Sequence, residues 1–73
     1  MIIVYTSKSC GPCVSLKRYL DHKGVQYSVR DIEHQKWADQ VLKLTNQLIV
    51  PVTVINDVPV VGLNYSKIAE LLK

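Results

Sequence analysis

The chain is short of the materials from which metal centres, membrane spans and nucleic-acid clamps are built. It has two cysteines and two histidines, and a closed structural zinc site needs four ligands. His22 and His34 show no ligand-pair spacing, so such a site could be completed only by sharing across a dimer; no bound metal is expected. No apolar run approaches the roughly 20 residues of a membrane-spanning helix, and no basic n-region or cleavage site precedes Ile2-Ile3-Val4. No membrane contact is expected, and the location is read as cytoplasmic. Gly/Ser linkers, charge blocks, repeats and low-complexity segments are also missing. With 73 residues in all, 1–73 should form one domain, near the lower limit for a self-sufficient core and too small for a deep cofactor cavity. Function must then sit on the surface. The net charge of +3 is modest and its basic residues are dispersed, which argues against nucleic acid and leaves an acidic protein surface as the partner to which the charge points.

What the chain does have is Cys10-Gly11-Pro12-Cys13. Residues three apart on a helix lie about 5–6 Å from each other, inside the roughly 4.4–6.8 Å Cα separation that a disulfide bridges. The two thiols can therefore close and open. Cys10 falls at the N-cap or first turn of the helix that follows, where free backbone N–H groups and the positive end of the helix dipole favour a thiolate. It is the candidate nucleophile. Cys13, one turn on and facing the core, is placed to attack a mixed disulfide at Cys10 and release the partner reduced. Pro12 suits a first turn that needs no N–H there, and Gly11 lets the backbone turn sharply while leaving Cys10 uncovered. Two other readings stay open. A permanent staple closing a loop of about four residues would contribute roughly 2 kcal/mol, against ~3 for fifteen residues; half a metal site would need ligands from elsewhere. A reducing cytosol favours transient exchange over a permanent bridge.

In chain order, Ile2-Ile3-Val4-Tyr5 is a continuous β-branched and aromatic run, the pattern of a strand buried on both faces at a sheet's centre. Thr6-Ser7-Lys8-Ser9 reads as the loop to Cys10. Lys8 could stabilise the thiolate or meet an acidic partner; a solvated lysine is the alternative. Cys13, Leu16 and Leu20 predict a helix over Gly11–His22, with Val14 widening its apolar face and Gly24 at C′. Residues 25–30 alternate, predicting a strand with Val25, Tyr27 and Val29 inward. A strand–helix–strand unit of this kind is right-handed and parallel, and puts the Cys loop at the C-terminal end of the first strand, where open α/β sheets place their sites. Asp31 or Glu33 can cap a second helix with Trp37, Val41, Leu44 and Leu48 apolar and Ala38 alongside. Residues 48–55 read as a strand with Pro51 near its start. Asn56-Asp57 is the hairpin tip, Pro59 marks an edge strand, and Gly62 ends it. Asn64 can N-cap a last helix over 65–73, with Ile68, Leu71 and Leu72 apolar. The order is βαβαββα.

On these landmarks the chain resembles the thioredoxin superfamily, and at this length its minimal members, the glutaredoxins. Cys10-Gly11-Pro12-Cys13 is the thioredoxin tetrapeptide; Tyr5-Thr6, the Val50-Pro51 step and the hairpin leading to Gly62 follow glutaredoxin order and spacing. The resemblance implies an α/β thioredoxin fold, a central four-stranded mixed sheet flanked by three helices. It also implies a cis Pro51 beside the thiols, with Val50 offering backbone groups to an extended substrate. Glutathione-using members carry Gly-Gly and then an acid after the last strand. Gly62-Leu63-Asn64 has one glycine and no carboxylate, so a charged contact to the glutathione amino group lacks its partner. Ile49 likewise replaces a usual threonine. These departures resemble the small redoxins that take electrons from thioredoxin reductase and reduce ribonucleotide reductase, although their aromatic stretch before the last helix is only echoed by residues 60–65. Ser9 stands where thioredoxins carry tryptophan.

Residues and resemblance together imply a dithiol–disulfide oxidoreductase. Cys10 is the nucleophile and Cys13 the resolving thiol, with Gly11, Pro12 and Pro51 in support and Lys8, Val50, Gly62, Leu63 and Asn64 against substrate. No cofactor is expected beyond the Cys10–Cys13 pair itself, with electrons coming from NADPH through thioredoxin reductase or from glutathione. The expected partners are thioredoxin reductase and ribonucleotide reductase or other disulfide-containing proteins, met by a monomer. A glutathione-dependent glutaredoxin acting on mixed disulfides is the enzymatic alternative. A redox-sensitive binding module, docking through Val50, Pro51 and Gly62 without turnover, is the alternative of another class.

Overall fold

The computed structural model describes residues 1–73 and has the order βαβαββα. Strands β1 (Ile2–Thr6), β2 (Ser28–Asp31), β3 (Val52–Ile55) and β4 (Val58–Val61) form one sheet in the order β2-β1-β3-β4. Helices α1 (Gly11–His22), α2 (Gln35–Thr45) and α3 (Tyr65–Leu71) flank it. β1 runs parallel to β2, with Val4 opposite Val29, and antiparallel to β3, with Val4 opposite Thr53. β3 and β4 form an antiparallel hairpin. The sheet is therefore mixed, and the chain's most continuous β-forming run lies inside it.

Alternation along β1 sends successive side chains to opposite faces. Val4 packs with Leu16 and Leu20 of α1, Ile55, Val60 and Ile68 of α3. Tyr5 goes the other way, to Val41 of α2 and to Val52 and Val54. Each large apolar side chain fully buried in this way contributes roughly 1.5–3 kcal/mol. Tyr19 and Tyr65, with ring centroids 4.5 Å apart and planes tilted by 35°, tie α1 to α3. α1 stops as its sequence predicts: Gly24 takes a φ of +70°, its N–H donates to the Asp21 carbonyl, and the Val25 N–H reaches back to Leu20. That is the Schellman pattern, which favours glycine at this position. Asn56 and Asp57, with φ of +48° and +70°, turn the β3–β4 hairpin in two residues.

Several expectations are corrected. Thr6 belongs to β1, opposite Asp31, and not to the loop. β2 begins at Ser28, and Val29 is 51% exposed: it shares Val4's face, but β2 is an edge strand flanked only by β1. Val25 and Tyr27 do pack against the core from the segment before it. Neither Asp31 nor Glu33 caps α2. His34 is its N-cap, without a side-chain cap bond, and the Asp31 carboxylate instead accepts the Glu33 backbone N–H at 2.8 Å. α2 ends at Thr45 because Asn46 turns to a left-handed φ of 61°, so Leu48 lies beyond the helix and both it and Leu44 are exposed. β3 starts at Val52, four residues later than its apolar run suggests. Val14 is exposed on α1 and adds nothing to its buried face. α3 ends at Leu71.

Candidate active site

The sheet's topology brings three loops to one end. β1 finishes at Thr6 and leads to Cys10; β3, antiparallel to it, starts at that end after Pro51; β4 finishes there and leads to Gly62. The Gly62 N–H donates to the Pro51 carbonyl at 2.9 Å, joining the second and third loops directly. Gly62 has a φ of +73°, a conformation any side chain would strain. The Val50-Pro51 peptide is cis and Pro51 is buried. Val50 is half-buried beside it, and Leu63 is exposed.

Cys10 and Cys13 are joined as a disulfide with a Cα separation of 5.2 Å, comfortably within bridging range. Their surroundings differ. Cys10 is the N-cap of α1 and only half-buried, and its Sγ accepts the Cys13 backbone N–H at 3.1 Å. Cys13, inside the first turn, is 1% exposed. Gly11 and Pro12 occupy the two helical positions between them and are exposed. On reduction, the first-turn N–H and the helix dipole favour charge on the Cys10 sulfur, while burial disfavours it on Cys13. One sulfur faces attackers and the other waits behind it.

Two of the remaining candidates, Lys8 and Asn64, are already engaged. Lys8 Nζ pairs with Glu33 Oε2 at 3.2 Å across the ends of β1 and β2. Asn64 N-caps α3, its Oδ1 accepting the Lys67 N–H at 3.3 Å. His22 is exposed in the last turn of α1 and His34 exposed before α2. No group of three or more His, Cys, Asp and Glu side chains is arranged to hold a metal ion. Glu33 as the partner of Lys8 was not legible in the sequence, where it reads as a helix cap. The two are 25 positions apart, and only the parallel β1–β2 pairing brings them together.

The glutaredoxin family model matches residues 2–60. The chain belongs to the glutaredoxin family. Among curated proteins, this glutaredoxin is similar to the Gene 56 protein of Mycobacterium phage D29, 34% identical over 76 aligned positions that cover 97% of this chain and 81% of the phage protein. The solved thioredoxin-like protein BC3987 matches with a TM-score of 0.90 at 30% identity, over 97% of this chain and 99% of its own. The glutaredoxin-like protein NrdH-redoxin from Escherichia coli, which has a thioredoxin-like activity profile, matches in fold with a TM-score of 0.80 at 23% identity, over 96% and 92%. The fold is the thioredoxin fold, and family membership with a disulfide-bonded cysteine pair makes this glutaredoxin a thiol–disulfide oxidoreductase.

Proposed function

We propose that the protein reduces disulfides in other proteins by a two-step exchange begun at Cys10 and completed at Cys13, in a reducing compartment such as the cytoplasm. The observation that carries this reading is the asymmetry of the pair: Cys10 is accessible with an N–H aimed at its sulfur, and Cys13 is buried one turn behind. The Cys10 thiolate attacks one sulfur of the substrate disulfide, forming a mixed disulfide and expelling the other sulfur as a thiolate that takes a proton. Cys13 loses its proton and attacks the Cys10 sulfur. The mixed disulfide breaks, the second substrate thiol leaves, and the pair ends oxidised with the substrate reduced by two electrons. Val50 and Gly62, at the same end of the sheet, are the backbone positions against which an extended substrate lies.

We further propose that thioredoxin reductase returns the electrons and that ribonucleotide reductase is the substrate. Two engaged side chains support this over glutathione. Asn64 replaces the expected acid and is held as a helix cap, and Lys8 is neutralised by Glu33. The thioredoxin-like profile of the redoxin from Escherichia coli, a protein of the same fold, agrees with that choice. NADPH consumption with a protein disulfide as substrate tests it: thioredoxin reductase alone is expected to sustain turnover, and glutathione with glutathione reductase to sustain little. Turnover with glutathione only would replace this reading by a glutathione-dependent one. Binding of a partner that survives loss of both thiols, without turnover from either donor, would make the protein a docking module.

A further inference from the structure

On the α2 face of the sheet, apart from the Cys10, Pro51 and Gly62 loops, the structure opens a groove of about 380 Å³, a volume in the range of small-molecule sites. Ile3, Tyr5 and Val54 form its floor, and Arg30, Gln40 and Lys43 line it from β2 and α2. None of these residues has a part in the exchange chemistry.

Arg30 is held at one end by hydrogen bonds and ring contacts. Its Nη1 donates to the Tyr5 hydroxyl at 3.1 Å and to Gln40 Oε1 at 2.8 Å, and the Tyr5 hydroxyl donates to that same oxygen at 2.6 Å. The Trp37 ring lies 4.3 Å from the guanidinium carbon and the Tyr5 ring 5.8 Å from it. Stacking and two neutral acceptors therefore fix this cation, yet no carboxylate neutralises it: the chain's one ion pair is Lys8 with Glu33. Both of its hydrogen bonds leave through Nη1, so Nε and Nη2, the edge that matches a carboxylate or phosphate in two parallel bonds, have no protein acceptor. Gln40, its oxygen occupied, has its amide N–H groups left, and Lys43, three residues further along α2, lines the groove as a second cation. The nitrogens left free on Arg30 and Gln40 are all donors.

The groove's one acid, Asp57, sits at the hairpin tip. Asn56 just before it pairs with Met1, and Tyr5 is four residues along β1 from Met1. At 3.3 Å per residue the backbone of Asp57 stands roughly 13 Å along the sheet from the level of Arg30. Asp57 forms no ion pair with either Arg30 or Lys43.

We propose that this groove is a second binding site, for a small organic anion whose carboxylate or phosphate is held by Arg30, Gln40 and Lys43 while its apolar body rests on Ile3, Tyr5 and Val54. An arginine that served only to pin α2 to the sheet would need the stacking and not an open fork beside a second cation.

The test is an amide NMR titration of the full chain with benzoate, phenyl phosphate and the neutral isostere benzamide. Benzoate or phenyl phosphate is expected to give saturable shifts centred on Arg30, Gln40 and Lys43, the tighter of the two naming the preferred head group, and benzamide to bind about tenfold more weakly, as loss of a charge-assisted hydrogen bond implies. Arg30→Met should weaken the anion by about tenfold or more on the same grounds. Should Arg30→Met not fold, Lys43→Met, at an exposed position on α2, decides the matter by a loss of roughly threefold at low salt. Absence of saturable shifts, equal binding of benzamide, or anion affinity unchanged in the variants would overturn the proposal.

Discussion

Asn64 Oδ1 accepts the backbone N–H of Lys67 at 3.3 Å, so the side chain that follows the Gly62-Leu63 bend is engaged in starting α3. Its removal has a structural cost. Asn64→Ala is expected to destabilise the fold by ~1 kcal/mol, which in a domain of this size lowers Tm by about 4–8 °C. Asn64→Asp keeps the cap and puts a negative charge where the α3 dipole welcomes it, at the position where the resemblance to glutathione-using glutaredoxins implies an acid. Its Tm should hold or rise, and its turnover with glutathione should increase. A thermal melt and the glutathione-coupled assay, run on both variants, separate the two effects; unchanged glutathione turnover in Asn64→Asp would mean that the missing carboxylate is not what limits glutathione.

The Lys8–Glu33 pair is exposed on both sides, and such pairs contribute about 0–1 kcal/mol. Glu33→Gln should therefore leave the melting temperature nearly unmoved. Freed of its partner, Lys8 becomes an unneutralised cation two residues from Cys10. The reduced protein should then react with glutathione disulfide, which is anionic, up to roughly fivefold faster at low salt, with the gain disappearing at 1 M salt, where the screening length falls to about 3 Å. A stopped-flow rate that is the same for both proteins at low salt would show that Lys8 does not reach incoming anions.

Burial, the hydrogen bond from its hydroxyl to Asp21 Oδ1 at 2.8 Å and the negative charge of that carboxylate push the Tyr27 phenol above its ordinary value. The sign follows from proton binding. A folded phenol that holds its proton more tightly than the unfolded one stabilises the fold in full below the unfolded value of about 10, and this contribution is lost as pH rises through the folded value. Stability should fall above pH ~10, and Tyr27→Phe should fall less steeply there while costing at most ~1 kcal/mol at neutral pH. Denaturant unfolding of both proteins across that range checks it. An equally steep alkaline loss in Tyr27→Phe would assign the loss to another group.

The elements and the chemistry were legible in different degrees. Cys10 at the N-cap, Cys13 inward, Gly24 after α1, the Asn56-Asp57 turn and Asn64 before α3 are set by local geometry that a few adjacent residues dictate, and each stands where the sequence places it. Val29 and Leu44 are exposed against expectation because periodicity reports which way a side chain points and not whether anything covers it. An edge strand and a short helix leave apolar positions in water. Leu48 failed for a related reason: its spacing continues the pattern of α2, but the left-handed Asn46 ends the helix first. Glu33 and the Arg30–Tyr5–Gln40 cluster are long-range products of strand pairing and of α2 packing on the sheet. Alternation alone marks Arg30 simply as the polar residue that follows Val29.

The division of labour between the two cysteines is tested most directly by trapping. Each single cysteine variant, reduced, is mixed with a disulfide-containing protein substrate, acid-quenched and examined by intact-mass spectrometry. Cys13→Ser should accumulate a mixed disulfide through Cys10, because the attack on Cys10 that releases the substrate has lost its thiol, and Cys10→Ser should form essentially none, because its remaining sulfur is buried. Equal trapping by both variants, or a mixed disulfide found on Cys13, would contradict the account.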